Sequence, residues 1–266
     1  MTRGKIIPAL KHGLGVLLFA GFLALSGQAR AEKVTVAAAA DLKFAMDEIV
    51  AAYQKANPGD AVKVVYGSSG KFHTQIRQGA PYDLFFSADI AYPRALTMAG
   101  YASSEAKPYA MGRLVLWSAG LEAERMTLLS LADPQISRIA IANPRHAPYG
   151  QRALEALKAS GLWEKIAAKL VYGENVAQAA QFVQSGNAQV GIIALSLALN
   201  PELAPQGGYW LIPASLHTPL EQGYVITKRA AGNAAAKRFA GFMENQAART
   251  ALARYGFTLP SESTGR

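Results

Sequence analysis

Apolar positions along this chain change period repeatedly, and the changes predict alternating strands and helices. Residues 34–39 are a short apolar run, too brief for a helix and bounded by the next element. Leu42, Ala45, Met46, Ile49, Val50 and Tyr53 then recur at the spacing of one helical face, with Asp41 in the N-cap position and Asn57-Pro58-Gly59 as the stop. Residues 62–66 read as a second strand, 72–77 as a short helix, 84–87 as a third strand and 92–98 as another helix. The strand signal returns at 114–117, 138–142, 169–172 and 190–194, with helices expected over 151–160 and 177–185. Residues 209–212 and 224–227 are late strands, and helices fill 234–255.

Such alternation predicts an α/β protein whose sheets are mostly parallel, with helices on both faces. So many units in a single sheet would make it unusually wide, so two lobes are expected. No Pro/Ser-rich linker divides the chain, which predicts lobes joined by crossing strands and not by a flexible tether.

The first 31 residues stand apart from this pattern. Arg3, Lys5 and Lys11 give a basic start, residues 14–25 are almost wholly apolar, and Ala29-Arg30-Ala31 has the small-x-small form of a cleavage site. The apolar stretch is shorter than the roughly 20 residues a membrane span needs. A cleaved signal peptide over 1–31 is therefore expected, with Glu32 as the mature first residue and the bacterial periplasm as the compartment. The chain has no cysteine, which removes disulfides, thiol catalysis, zinc-thiolate sites and a lipidated cysteine from consideration. The signal carries four of the 27 basic residues and none of the 18 acidic ones, so the formal +9 becomes +5 in the mature chain. Those charges are scattered, without a Lys/Arg run interleaved with aromatics, and no nucleic-acid partner is expected.

In open α/β sheets ligands sit beyond the carboxyl ends of the strands, where helix N-termini present unpaired N–H groups that favour anions. Four strand-to-helix junctions carry the residues suited to this. Ala37-Ala38-Ala39-Ala40-Asp41-Leu42 is small enough for close backbone approach. Gly67-Ser68-Ser69-Gly70 offers two hydroxyls and several N–H groups, and lacks the spacing of a phosphate-binding P-loop. Asn143-Pro144-Arg145-His146-Ala147-Pro148-Tyr149-Gly150 ends at a helix start, and in Gly173-Glu174-Asn175-Val176 the Val176 N–H falls in a first helical turn. Catalytic signals are weaker: His73, His146 and His217 lack metal-ligand spacing, and neither a G-x-S-x-G elbow nor a G-x-G-x-x-G fingerprint occurs. No enzyme activity and no cofactor are expected.

At these junctions the chain resembles the periplasmic molybdate-binding proteins of ABC transporters, from about Val34 to Leu259. The marks are 34–42, Gly67-Ser68-Ser69-Gly70, 79–89, 112–118, Asn143-Pro144 with Ala147-Pro148-Tyr149-Gly150, and the closing Tyr255-Gly256-Phe257. The resemblance implies a two-lobed type II periplasmic binding protein fold. Lobe I would comprise 32–112 and 220–262, lobe II 113–219, with 263–266 as a tail. It implies a molybdate or tungstate anion in the cleft, held by neutral donors, and a monomer that docks on an ABC transporter permease at the inner membrane. Molybdenum enters only as molybdate, through the same residues and without direct metal ligation.

Carried over by position, Ser69 gives hydroxyl and N–H, Tyr149 and Val176 give N–H groups, and Ala40, Asp41 and Ser68 complete the expected site. Two departures stand out. Some members have a tyrosine donor where this chain has Ala194, and Tyr149 is a candidate to supply that hydroxyl instead. Asp41 stands where the family often has Ser, Thr or Asn. Its carboxylate is expected either to cap the Phe44 N–H while its own N–H binds, which is the favoured reading, or to accept a hydrogen bond from a protonated ligand such as hydrogen phosphate. A sulfate, phosphate or carboxylate receptor, an α/β hydrolase or transferase, and a structural or adhesive envelope protein are the alternatives.

Overall fold

The computed structural model describes residues 32–260, together with Met1, Thr2 and Gly4. The expected signal peptide otherwise lies outside the described residues, as does the expected tail at 263–266.

The chain runs β1 (Glu32–Ala39), α1 (Lys43–Ala56), β2 (Asp60–Gly67), α2 (Ser69–Arg77), β3 (Leu84–Ser87), α3 (Ala91–Met98), β4 (Lys107–Gly112) and β5 (Leu114–Ser118). It continues through β6 (Ile139–Ala142), α4 (Pro148–Ala159), α5 (Trp163–Ile166), β7 (Leu170–Gly173), α6 (Val176–Gln184), β8 (Val190–Ala194) and α7 (Leu195–Ala198). The last elements are β9 (Gly208–Leu211), β10 (Leu220–Ile226), α8 (Ala234–Phe242) and α9 (Gln246–Arg254). Two five-stranded sheets result, ordered β2-β1-β3-β10-β4 and β7-β6-β8-β5-β9. This is the expected two-lobed α/β fold, with one sheet per lobe.

Each sheet is mostly parallel, as expected, with one strand reversed in each. In the first sheet β1 runs parallel to β2 and β3, but β10 runs antiparallel to β3 and β4. The second sheet is mixed in the same way, with β5 antiparallel to both β8 and β9. The physical reason lies in how the chain changes lobes. Parallel neighbours need a crossover connection within one sheet. A strand arriving from the other lobe needs none and enters the sheet in the opposite sense. Only Arg113 separates β4 in one sheet from β5 in the other, and the return runs from β9 to β10. The Lys107-Pro108 start of β4 hid it from the hydrophobic pattern, and its edge position explains why proline is tolerated there.

The helical faces are those the periodicity predicts. Ala45, Met46, Ile49 and Tyr53 of α1 are buried against β1 and the C-terminal helices, where Phe239 and Leu252 join Val34 and Val36 in one core. The second lobe builds its core on β5, β6 and β8 and includes the fully buried Trp117. That core also takes in Ala39, Ala40 and Ala88 from the first lobe, so the two lobes meet across small residues.

Candidate functional site

The four junctions named from sequence converge on one cavity between the lobes. It is lined by Ala39, Ala40 and Asp41 after β1, by Gly67, Ser68 and Ser69 after β2, and by Ala88 after β3. Ala147, Pro148 and Tyr149 at the start of α4, with Asn175 and Val176 at the start of α6, close the other side. About 200 Å³ of space lies between these atoms, part of it open to solvent. All six residues expected at the site line it, and among the described residues no lysine, arginine or histidine does.

Local hydrogen bonding determines which donors remain for a ligand. Ser69 is the first residue of α2, so its N–H has no acceptor within the helix. Its Oγ accepts the Ala88 N–H at 3.0 Å, which leaves the hydroxyl proton free to point elsewhere. Asn175 caps α6: its Oδ1 accepts the N–H groups of Ala177 and Gln178, both at 3.0 Å. The Ala179 N–H is taken by the Asn175 carbonyl, so Val176 is the first-turn residue whose N–H the helix and its cap leave over. Helix α4 begins with Pro148, which fixes the turn and brings no donor, and has no side-chain cap. The Tyr149 N–H is therefore available beside the cavity.

Ser68 behaves differently from the expectation. Its hydroxyl donates to the His146 carbonyl at 2.6 Å and lies 2.9 Å from His146 Nδ1, while the Gly70 N–H donates to the same carbonyl at 2.9 Å. These bonds join the lobes. Lys71 and Glu174 form an ion pair across the same junction, and Arg152 reaches from α4 to Asp89 at 2.8 Å. Burial lowers the His146 pKa, so its imidazole is neutral in this contact near neutral pH.

Asp41 corrects the favoured sequence reading. Helix α1 and the short turn before it have no side-chain cap, so the carboxylate does not cap Phe44. Instead the residue is 1% exposed, and its Oδ2 accepts Gln222 Nε2 at 2.6 Å. The other carboxylate oxygen, Oδ1, is buried without a hydrogen-bond partner. Burial, opposed by the bonding of Gln222 and Tyr149, pushes the Asp41 pKa up to about 6. The Tyr149 hydroxyl accepts the second Gln222 Nε2 hydrogen bond at 3.2 Å and sits beside the same carboxyl group. It faces this buried cluster, and Tyr149 offers its free donor through the backbone.

Sequence reasoning missed Gln222 and Tyr109, whose hydroxyl donates to Gln222 Oε1 at 2.5 Å. Neither lies at a strand-to-helix junction, and Gln222 is 181 positions from Asp41, so no local pattern marks the pair. Gly112 is their companion: a Cβ there would run into the Tyr149 hydroxyl and lie 2.6 Å from Gln222 Nε2. Asn175 was legible as an N-cap, since Asn directly before an apolar helical face is a start signal.

Gly150 fixes the height of α4 on its sheet. A Cβ at this buried position would lie 2.7 Å from the Ala142 carbonyl carbon, closer still to its oxygen, and 2.9 Å from the Pro144 nitrogen. All three are backbone atoms that cannot turn aside. Gly150→Ala should therefore lift the helix start, and with it the Tyr149 N–H, at a cost of about 2–3 kcal/mol. A thermal melt should fall by about 5–10 °C. An unchanged melting temperature would show that the α4 start yields without cost.

Among the described residues no cluster of His, Asp or Glu could hold a metal ion, and no helix is long and apolar enough to cross a membrane. The cavity is thus a ring of neutral donors with one carboxyl group, suited to an anion stripped of its water.

Comparison with known proteins agrees with this geometry. Residues 34–258 match the family described as bacterial extracellular solute-binding protein. The molybdate-binding protein ModA of Rhodobacter capsulatus is 36% identical over 244 residues, covering 91% of this chain and 95% of that protein. Its namesake in Azotobacter vinelandii is 36% identical over 249 residues, covering 92% and 97%. The solved periplasmic molybdate-binding protein of Azotobacter vinelandii superposes with a TM-score of 0.79 at 35% identity, covering 85% of this chain and 99% of that one. With the match running through both lobes and every junction of the cavity, this chain belongs to the bacterial extracellular solute-binding protein family.

Proposed function

We propose that this protein captures molybdate or tungstate between its lobes and delivers the anion to an ABC transporter permease at the inner membrane. The observation that carries this reading is the convergence of unpaired donors from separate junctions on one small cavity without a cation. Ser69 would give its hydroxyl and N–H, and Tyr149 and Val176 their N–H groups. Ala40 and Asp41 would offer backbone at the β1 junction, with Ser68 completing the wall. The similarity to molybdate-binding proteins of Rhodobacter and Azotobacter supports the choice of anion. Fixed dipoles replace the water shell of a dianion without a counter-charge, and selectivity then rests on cavity size and donor number.

The same reading sets lobe I at 32–112 with 220–262 and lobe II at 113–219, as the strand content of the two sheets supports. It takes the chain as an exported periplasmic monomer after loss of residues 1–31, with no enzyme activity, no cofactor and no nucleic-acid partner. A second oxyanion, phosphate, is favoured by one feature alone: an ionised Asp41 would accept the proton of hydrogen phosphate.

A thermal melt of residues 32–266 with molybdate, tungstate, sulfate and phosphate decides between them. Ligand at about a thousand times its Kd stabilises by roughly 4 kcal/mol, a shift on the order of 10 °C. Large shifts with molybdate and tungstate alone are expected. A shift with phosphate alone would move the assignment to a phosphate receptor, and no shift with any anion would end the oxyanion reading.

A further inference from the structure

Gln222 has a hydrogen-bonding pattern that leaves Asp41 little choice. The Tyr109 hydroxyl donates to Gln222 Oε1, which can only accept, and this fixes the amide with Nε2 toward Asp41. Both Nε2 hydrogens are then used, one on Asp41 Oδ2 and one on the Tyr149 hydroxyl. Oδ2 is thereby held as an acceptor. Any proton on this carboxyl group must sit on Oδ1, the oxygen that has no partner among the described residues. Asp41 is among the residues that line the cavity, and its Oδ1 is a fully buried polar atom without a hydrogen-bond partner among the described residues.

We propose that Asp41 binds the oxyanion as a carboxylic acid, donating an Oδ1 proton to an oxygen of the anion, with Gln222 as the positioning residue that holds it in that role. This inference rests on the oxyanion reading above and adds a proton to it: each dianion captured brings one proton into the cleft. The reason is electrostatic. A dianion beside an ionised carboxylate in a dehydrated cavity is repelled, and protonation both removes the repulsion and creates a further donor. A carboxylic acid offers a hydrogen bond to every oxygen of a fully deprotonated oxyanion, whereas hydrogen phosphate would have to turn its P–OH elsewhere to accept it.

Among the described residues no competing charge acts on this carboxyl group. β10 presents Gln222, β4 presents Tyr109, and α4 presents Tyr149. α7 presents Ser196, whose hydroxyl donates to the Asp41 carbonyl at 2.7 Å, and α6 carries no ionisable side chain. On α1, Lys43 is turned to Asp47 at 2.9 Å; on β2, Tyr66 also bonds Asp47, Asp60 pairs with Arg238, and Lys63 is exposed. The influences on the carboxyl group are burial first, then Gln222, Tyr149 and the N–H groups of Asp41 and Leu42, none of them a cation. Burial has already raised its pKa to about 6 before any anion enters.

Isothermal titration of residues 32–266 with sodium molybdate and with sodium tungstate, in buffers of different ionisation enthalpy, tests this. Uptake approaching one proton per anion is expected well above the Asp41 pKa, with Kd rising up to about tenfold per pH unit there. Asp41→Asn should bind without proton uptake and with a flat pH profile. Gln222→Met removes a bond that favours the carboxylate, so the pH at which affinity begins to fall should move up. An unmoved break would remove Gln222 from the positioning role. Tight binding by the native chain with no proton uptake and no pH dependence would overturn the proposal while leaving oxyanion capture intact. Failure of both anions to bind at any pH would overturn the oxyanion reading and this inference together.

Discussion

Without ligand, Asp41→Asn is expected to gain about 2.5 kcal/mol on the native chain between about pH 4 and pH 8, because only the native chain has a buried carboxyl to ionise. The sign follows from the direction of the shift. The Asp41 pKa is raised in the folded state from an ordinary 3.8 to about 6, burial being the main cause. Below both values the folded and unfolded chains carry the same proton, and Asp41 costs nothing. As pH rises between them, the unfolded chain releases its proton and the folded chain holds it, so stability falls. Above about 6 the loss is complete. Asn has no such titration, so the difference between the two proteins should widen with pH and then level off.

Other groups titrate in the opposite sense. Arg238 holds the Asp60 carboxyl below its ordinary range, so that pair loses stability as pH falls. This contribution is common to both proteins and cancels in the comparison. Denaturant titration of both chains from about pH 4 to pH 8 gives the result directly, and the difference corresponds to about 5–10 °C in melting temperature for a chain of this size. Parallel stability curves would mean that Asp41 is not held in a costly ionised state.

Ser69→Ala should weaken oxyanion binding by about 10- to 100-fold, the largest loss expected from any single hydroxyl of this chain. The estimate joins two roles of one atom. Ser69 Oγ accepts the buried Ala88 N–H, so its proton is directed away from that bond and can meet the anion. A hydrogen bond to a charged group contributes about 1.5–3 kcal/mol, and here it is formed out of water. Removing the oxygen also leaves the Ala88 N–H without an acceptor, at about 1–3 kcal/mol of stability even with no ligand bound. Titration and an unliganded melt should therefore both change. Ser68→Ala is the informative contrast. Its hydroxyl serves the His146 carbonyl across the lobes, so its loss should loosen the closed cleft without removing a donor to the anion. Full affinity in Ser69→Ala would show that the α2 turn binds through backbone alone.

Much of this architecture is legible along the chain because it is local. The face of Ala45, Met46, Ile49 and Tyr53 makes α1 visible, and short apolar runs mark every described strand except β4. The junction residues are legible for the same reason: a strand followed by a helix must present free N–H groups at the turn, and small or hydroxyl-bearing residues mark where a ligand can reach them. The resemblance carried by those junctions points to Ser69, Tyr149 and Val176, and the fold gathers them on one cavity.

What the tertiary structure alone decided is non-local. The sheets are mixed because β5 and β10 arrive from the opposite lobe, a fact carried by pairings between strands far apart in the chain and by no period within a strand. Asp41 reads as a helix cap because Asp before an amphipathic face usually is one. Its carboxyl group turns instead to an amide 181 positions away, on a strand whose pattern announces only a core-facing residue. Ser68 and Ser69 are chemically alike neighbours, yet one donates across the lobes while the other accepts the Ala88 N–H and leaves its proton uncommitted. Sequence specifies which groups can donate and accept at each turn. Which of them remain unsatisfied, and so free for an anion, is settled only when every distant partner has been placed.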